Sequence, residues 1–181
     1  LRTGDDPNDE ETQKIVTKHK YVIDAIAELI ATLAELWGKQ FMQIWNELFP
    51  CLIAFGNPNK HPHDRAMVVG CIADVASNLA RLALNNPNDK SLRGLMSDYS
   101  NQCYTMALTA AQSTDVNMRQ NALYCIGALF TACNQESNLQ HSNDCLRCIQ
   151  VYMKFPRNGT RHEQLVRDNA VSALGKIIIS E

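Results

Sequence analysis

The sequence lacks a charge excess. Its 17 Lys and Arg stand against 19 Asp and Glu, a formal net charge of −2 over 181 residues. No positive field is available to hold a phosphate backbone, so direct nucleic-acid binding is not expected. No apolar run approaches the roughly 20 residues that a membrane span needs, and no secretory signal opens the chain; no membrane role is expected. No clean period-2 run bounded by turns reads as a strand. Chemistry is equally short of material. No Ser/His/Asp or Cys/His arrangement can be argued from spacing, and Gly175-Lys176 lacks the upstream glycine of a phosphate loop. Neither an enzymatic activity nor a cofactor is expected.

The seven cysteines, at 51, 71, 103, 125, 133, 145 and 148, are odd in number and scattered over apolar stretches. They read as reduced thiols packed as small hydrophobes, which fits the cytosol or nucleus. Cys145-Leu146-Arg147-Cys148 is a CxxC motif without the βαβ context of a redox site, and no second CxxC or paired His completes a zinc site. His61-Pro62-His63 reads as a loop. Asn158-Gly159-Thr160 matches a glycosylation acceptor, idle in such a compartment.

What the sequence does have is helical period. The hydrophobic share is 45% and the charged share 20%, ordinary values for a globular domain of this length. Val22, Ile26, Leu29 and Leu33 recur on one helical face and are expected to be buried. That helix is predicted from about Lys14 to Trp37, with Gly38 as its stop. Further helices are predicted at about 40–55, bent by Pro50, and at about 63–84. A fourth spans about 92–113 with Ser91 as cap, and a fifth about 116–134 with Asp115 as cap. After a polar loop at 135–140, the last two cover about 142–154 and 163–180. Residues 1–13, polar and acidic, read as a linker ahead of one helical domain over 14–181.

The odd-numbered helices overlay in columns. Arg65, Arg119 and Arg167 share one, with His19 in the first copy. Val22, Val68, Ala122 and Ala170 follow three residues on. Ile26, Ile72, Ile126 and Leu174 come next, each succeeded by a small residue: Ala27, Ala73, Gly127 and Gly175. The small residue allows a neighbouring helix close, and the aliphatic columns are the stripe each helix buries. A helix pair every 46 to 54 residues, between positions 26, 72, 126 and 174, points to HEAT or armadillo-type repeats. The fold class is therefore all-α, a solenoid of about 3.5 helix pairs. An Arg near a helix start opposes the helix dipole and needs a partner; Asp115 is the candidate for Arg119.

These residues also carry a resemblance. Val166-Arg167-Asp168-Asn169-Ala170, followed by Ala173-Leu174-Gly175-Lys176-Ile177, resembles the inner helix of a HEAT repeat. Leu48-Phe49-Pro50-Cys51-Leu52 resembles an outer helix with its proline. The stretches Asp64 to Asp74, Met118 to Gly127 and Val166 to Ile177, in that order, are similar to the C-terminal part of the karyopherin-β nuclear import receptors, in the importin-four/importin-five branch. The resemblance implies a fragment of a longer receptor that binds basic protein cargo, such as histones or ribosomal proteins. It implies Ran and nucleoporins as partners through the full-length receptor, and residence in both cytoplasm and nucleus. The alternative is a HEAT-repeat scaffold subunit of another complex.

In a solenoid the inner helices line the binding surface. The face opposite the buried stripe carries Lys20, Asp24, Glu28, Ala31 and Glu35 in the first copy, and Ala66, Gly70, Asp74, Ser77 and Arg81 in the second. Glu28 and Asp74 share a column, so stacking should bring them together with Asp24 one turn away. Asp24, Glu28, Glu35 and Asp74 are thus the candidate cargo-binding residues, since carboxylates on a rigid surface suit Lys and Arg ligands. At the other end, Ile177, Ile178 and Ile179 cannot all face one core. An exposed, self-associating apolar end is expected there.

Overall fold

The computed structural model describes residues 10–155 and 159–180, with side chains from Lys14 onward except those of residues 15 and 16. Seven α-helices follow one another: α1 (Glu10–Trp37), α2 (Phe41–Phe55), α3 (Pro62–Asn85), α4 (Ser100–Ala111), α5 (Val116–Ala132), α6 (Gln135–Met153) and α7 (Arg161–Ser180). There is no strand among the described residues. The odd helices pack side by side in the order α1, α3, α5, α7, while α2, α4 and α6 pack on α3, α5 and α7. This is an all-α, HEAT-like solenoid: an inner layer of odd helices backed by an outer layer of even ones. Residues 1–9, 156–158 and 181 lie outside the described part, and with them most of the expected linker and Asn158 of the glycosylation motif; Glu10 to Gln13 belong to α1.

The helix ends have local causes. Gly38 stops α1 with φ of +51°, and a Cβ there would sit 2.3 Å from Leu82 Cδ2, so only glycine fits on both counts. α3 starts at Pro62, with the His61 ring nitrogen accepting from the His63 amide at 3.2 Å. Asp115 caps α5 by accepting from the Met118 amide at 2.9 Å.

Two boundaries differ from expectation. Ser91 is not a helix cap: Asp89 accepts from the Ser91 amide and hydroxyl and holds only a short 3-10 turn, Lys90–Leu92. Gly94, with φ of +68°, then breaks the path, and the true helix α4 begins at Ser100. The polar stretch 135–140, read as a loop, is the start of α6. Asn134 caps it by accepting from the Ser137 amide at 2.9 Å. Asn138 is buried, yet satisfied: its amide donates to the Phe130 carbonyl at 2.9 Å and its oxygen accepts from the Tyr104 hydroxyl at 2.8 Å.

The buried stripe is as expected in α3 and α5, holds in α7 at Ala170 and Ile177 with Leu174 half-buried, and is wrong in α1. Val68, Ile72 and Val75, and likewise Ala122, Ile126 and Leu129, are fully buried. In α1 the same columns are open: Val22 is 57% exposed, Ile26 46% and Leu29 57%. What α1 buries instead is Ile23, Ile30, Ala31 and Ala34, the side turned to α3. Among the described residues no outer helix backs α1 as α4 backs α5; α2 touches it only lightly. Of the three terminal isoleucines, Ile177 is buried while Ile178 and Ile179 are exposed.

A further correction concerns α3. By length and apolar composition alone it is long and apolar enough to cross a membrane, which the sequence reading denied for any segment. Its Val68, Val69, Cys71, Ile72, Ala73, Val75, Ala76, Leu79 and Ala80 are buried within the fold, which accounts for the composition: α3 is a core helix between α1 and α5.

Side-chain amides tie the inner layer together. Asn121 donates to the Ala66 carbonyl at 2.8 Å and Asn169 to the Gln120 carbonyl at 3.0 Å, the same two columns one repeat apart. Asn78 does the same toward the Ala31 carbonyl at 2.8 Å. Close approach is needed where α5 meets α7: a Cβ on Gly127 would lie 3.1 Å from the Ala173 Cα.

Candidate functional site

Asp24 and Glu28 stand one turn apart on α1, and Asp74 faces them from α3. Helical period and stacking register alone fix that juxtaposition. With Ala27, Ala31, Met67, Gly70 and Asn78 they line an open cavity of about 340 Å³ along the α1–α3 seam. Three of the four carboxylates read from the sequence are therefore brought to one groove.

Their states differ. Asp24 lies 3.3 Å from His63 Nε2, so part of its charge is answered when that ring is protonated. Glu28 makes no ion pair among the described residues and is exposed. Burial holds the Asp74 carboxyl above the ordinary range, and a hydrogen bond from the Tyr124 hydroxyl partly offsets this. Tyr124 also bonds to the Ser77 hydroxyl at 3.1 Å, so it spans the α3–α5 seam. Below Asp74, burial and then the charge of Asp74 push the Cys71 thiol up to about 12, leaving it a neutral floor.

Glu35 belongs elsewhere. It pairs with Arg81 at 2.6 Å, and Arg81 also donates to Asn78 Oδ1 at 3.1 Å. Glu35 is thus a compensated charge beyond the cavity. The acid fades toward the C-terminal repeats. There the Lys176 ammonium sits 5.5 Å from the Tyr124 ring centroid, and burial lowers its pKa.

Sequence reasoning missed Tyr124, His63 and Arg81 as neighbours of the acids. Arg81 was visible in the outward columns, but its partners, like those of Tyr124 and His63, depend on inter-helix distances that no spacing gives. The expected pairing of Arg119 with Asp115 is absent: Asp115 is spent on its cap, and Arg119 donates to the Ser113 carbonyl at 3.2 Å.

The buried and half-buried cysteines have the opposite of nucleophile chemistry. Burial pushes Cys133 and Cys145 up to about 12 and Cys148 up to about 11, and raises Cys103 and Cys125 too. The described residues hold no cluster of three or more His, Cys, Asp or Glu set for a metal. His61 and His63 serve the start of α3.

The two helical layers define the class, an all-α protein of HEAT-like repeats. Within that class, the chain is similar to a protein of Schizosaccharomyces pombe described as a probable importin subunit beta-4. The two are 22% identical over 158 residues, covering 87% of this chain and 13% of the relative. The chain thus spans about 13% of that protein's length. The likeness reaches a karyopherin-type helical-repeat family and no branch within it. No protein-family model matches the chain.

Proposed function

We propose that the chain is part of a nuclear import receptor and that the α1–α3 groove holds a Lys- or Arg-rich segment of protein cargo, of the histone or ribosomal-protein kind. On this reading the repeats belong to a longer solenoid that moves between cytoplasm and nucleus. Ran and nucleoporins are met through the rest of the receptor.

The observation that carries the reading is the convergence of Asp24, Glu28 and Asp74 on one cavity without a basic residue among its lining. Facing like charges repel, so the groove is relieved by a cationic ligand, and its field speeds the encounter. The mechanism is shape and charge complementarity, with no bond made or broken.

The test is fluorescence anisotropy of a labelled Lys/Arg peptide against the chain and its Glu28→Lys/Asp74→Lys variant. The variant is expected to lose at least about tenfold in affinity, with most of the wild-type binding removed by added salt. Equal affinities would overturn the reading. Capture of Ran-GTP by the full-length protein separates a transport receptor from a scaffold subunit of another complex.

A further inference from the structure

A second cavity, of about 510 Å³, lies on the other side of α3. Its walls come from the end of α2 (Ile53, Gly56), from α3 (Arg65, Val69), from α4 (Met106, Ala110) and from Met118 of α5. The volume is that of an ordinary ligand pocket. Arg65 and Val69 point about half a turn away from Met67, Gly70 and Asp74, so this site and the acidic groove occupy opposite faces of one helix.

Arg65 stands on this wall. Its Nε, like that of Arg119, is buried without a hydrogen-bond partner, and no ion pair joins its guanidinium to a described residue. Arg119, one repeat on, donates to the Ser113 carbonyl at 3.2 Å. Arg65 has no such partner among the described residues, and it opens onto a cavity. A half-buried, unpaired guanidinium calls for a planar anion able to accept two hydrogen bonds, and its surroundings call for apolar mass beside that anion.

We propose that this cavity is a peptide site that takes an acidic side chain adjacent to a large apolar one, with the carboxylate on Arg65 and the apolar group between Ile53, Val69, Met106 and Met118. Two methionines give a wall that adapts to different apolar shapes. The rim favours a peptide over a bare acyl chain. Gln102 and Thr105, exposed along α4, make no side-chain hydrogen bond among the described residues and stand where backbone amides would pass.

The test uses the full chain with labelled methionine methyls and blocked pentapeptides that carry Glu next to Leu or Phe, alongside their Gln counterparts. The Met106 and Met118 methyls are expected to shift, with the Glu peptides binding about tenfold more tightly than the Gln peptides. Arg65→Met keeps the packed stem, should leave thermal stability unchanged, and should abolish the Glu-over-Gln preference. Unmoved methyls at millimolar peptide, a preference that survives in Arg65→Met, or methyls that respond to octanoate but to no peptide would each overturn the proposal.

Discussion

At the scale of residues, Asp74 places binding and stability in opposition. Its carboxyl is held above the ordinary range because ionisation at the α1–α3 seam is costly. Folding therefore favours the neutral form. The stability it contributes is fully present below the ordinary carboxylate range and is lost as pH rises through the raised value. Asp74 is exposed at the rim of the seam, so solvent screens the cost of its charge: Asp74→Asn should raise Tm by no more than about 1 °C at pH 7, an advantage that shrinks toward pH 4. The same variant should weaken binding of a Lys/Arg peptide by about threefold to tenfold. Thermal melts across pH check the first part; a Tm lowered at pH 7 would contradict it. The outward columns made Asp74 legible in the sequence. Its raised pKa was not, because that depends on Tyr124 and on packing across two seams.

At the scale of elements, identical columns have different environments. Ile26 and Ile126 fall in one column of the repeat, yet Ile26 is 46% exposed and Ile126 is fully buried. Ile126→Ala should cost about 2–5 kcal/mol, whereas Ile26→Ala should stay within about 0.5 kcal/mol. Urea unfolding of the two variants measures the difference; comparable losses would mean that α1 is backed as α5 is. Period alone marks a stripe as apolar and says nothing of whether a partner helix exists to cover it. This is why the stripe was legible in α3 and α5 and misread in α1. The start of α6 failed for the converse reason. Asn138 is polar by composition and buried in fact, since Tyr104 and Phe130 supply its partners from elsewhere in the chain. Composition cannot report a hydrogen bond made 34 residues away.

At the scale of the molecule, a chain of net charge −2 is divided into local fields of opposite sign. α3 is the partition, with a trio of carboxylates along its seam with α1 and an unpaired guanidinium behind it. The helix-pair architecture was legible because four copies of one pattern repeat it, and the acidic groove because stacking preserves register. The Arg65 cavity was not, since it depends on which groups reach Arg65 across the packing of α2, α3 and α4. The central claim is that basic peptide settles at the α1–α3 seam. Methyl NMR with a Lys/Arg peptide tests it most directly, since Met67 lines the acidic groove and Met106 and Met118 line the cavity behind α3. The account predicts a saturable shift of the Met67 methyl, with Met106 and Met118 unmoved, and its loss in Glu28→Lys/Asp74→Lys. A Met67 methyl that stays put while peptide binds elsewhere would contradict it.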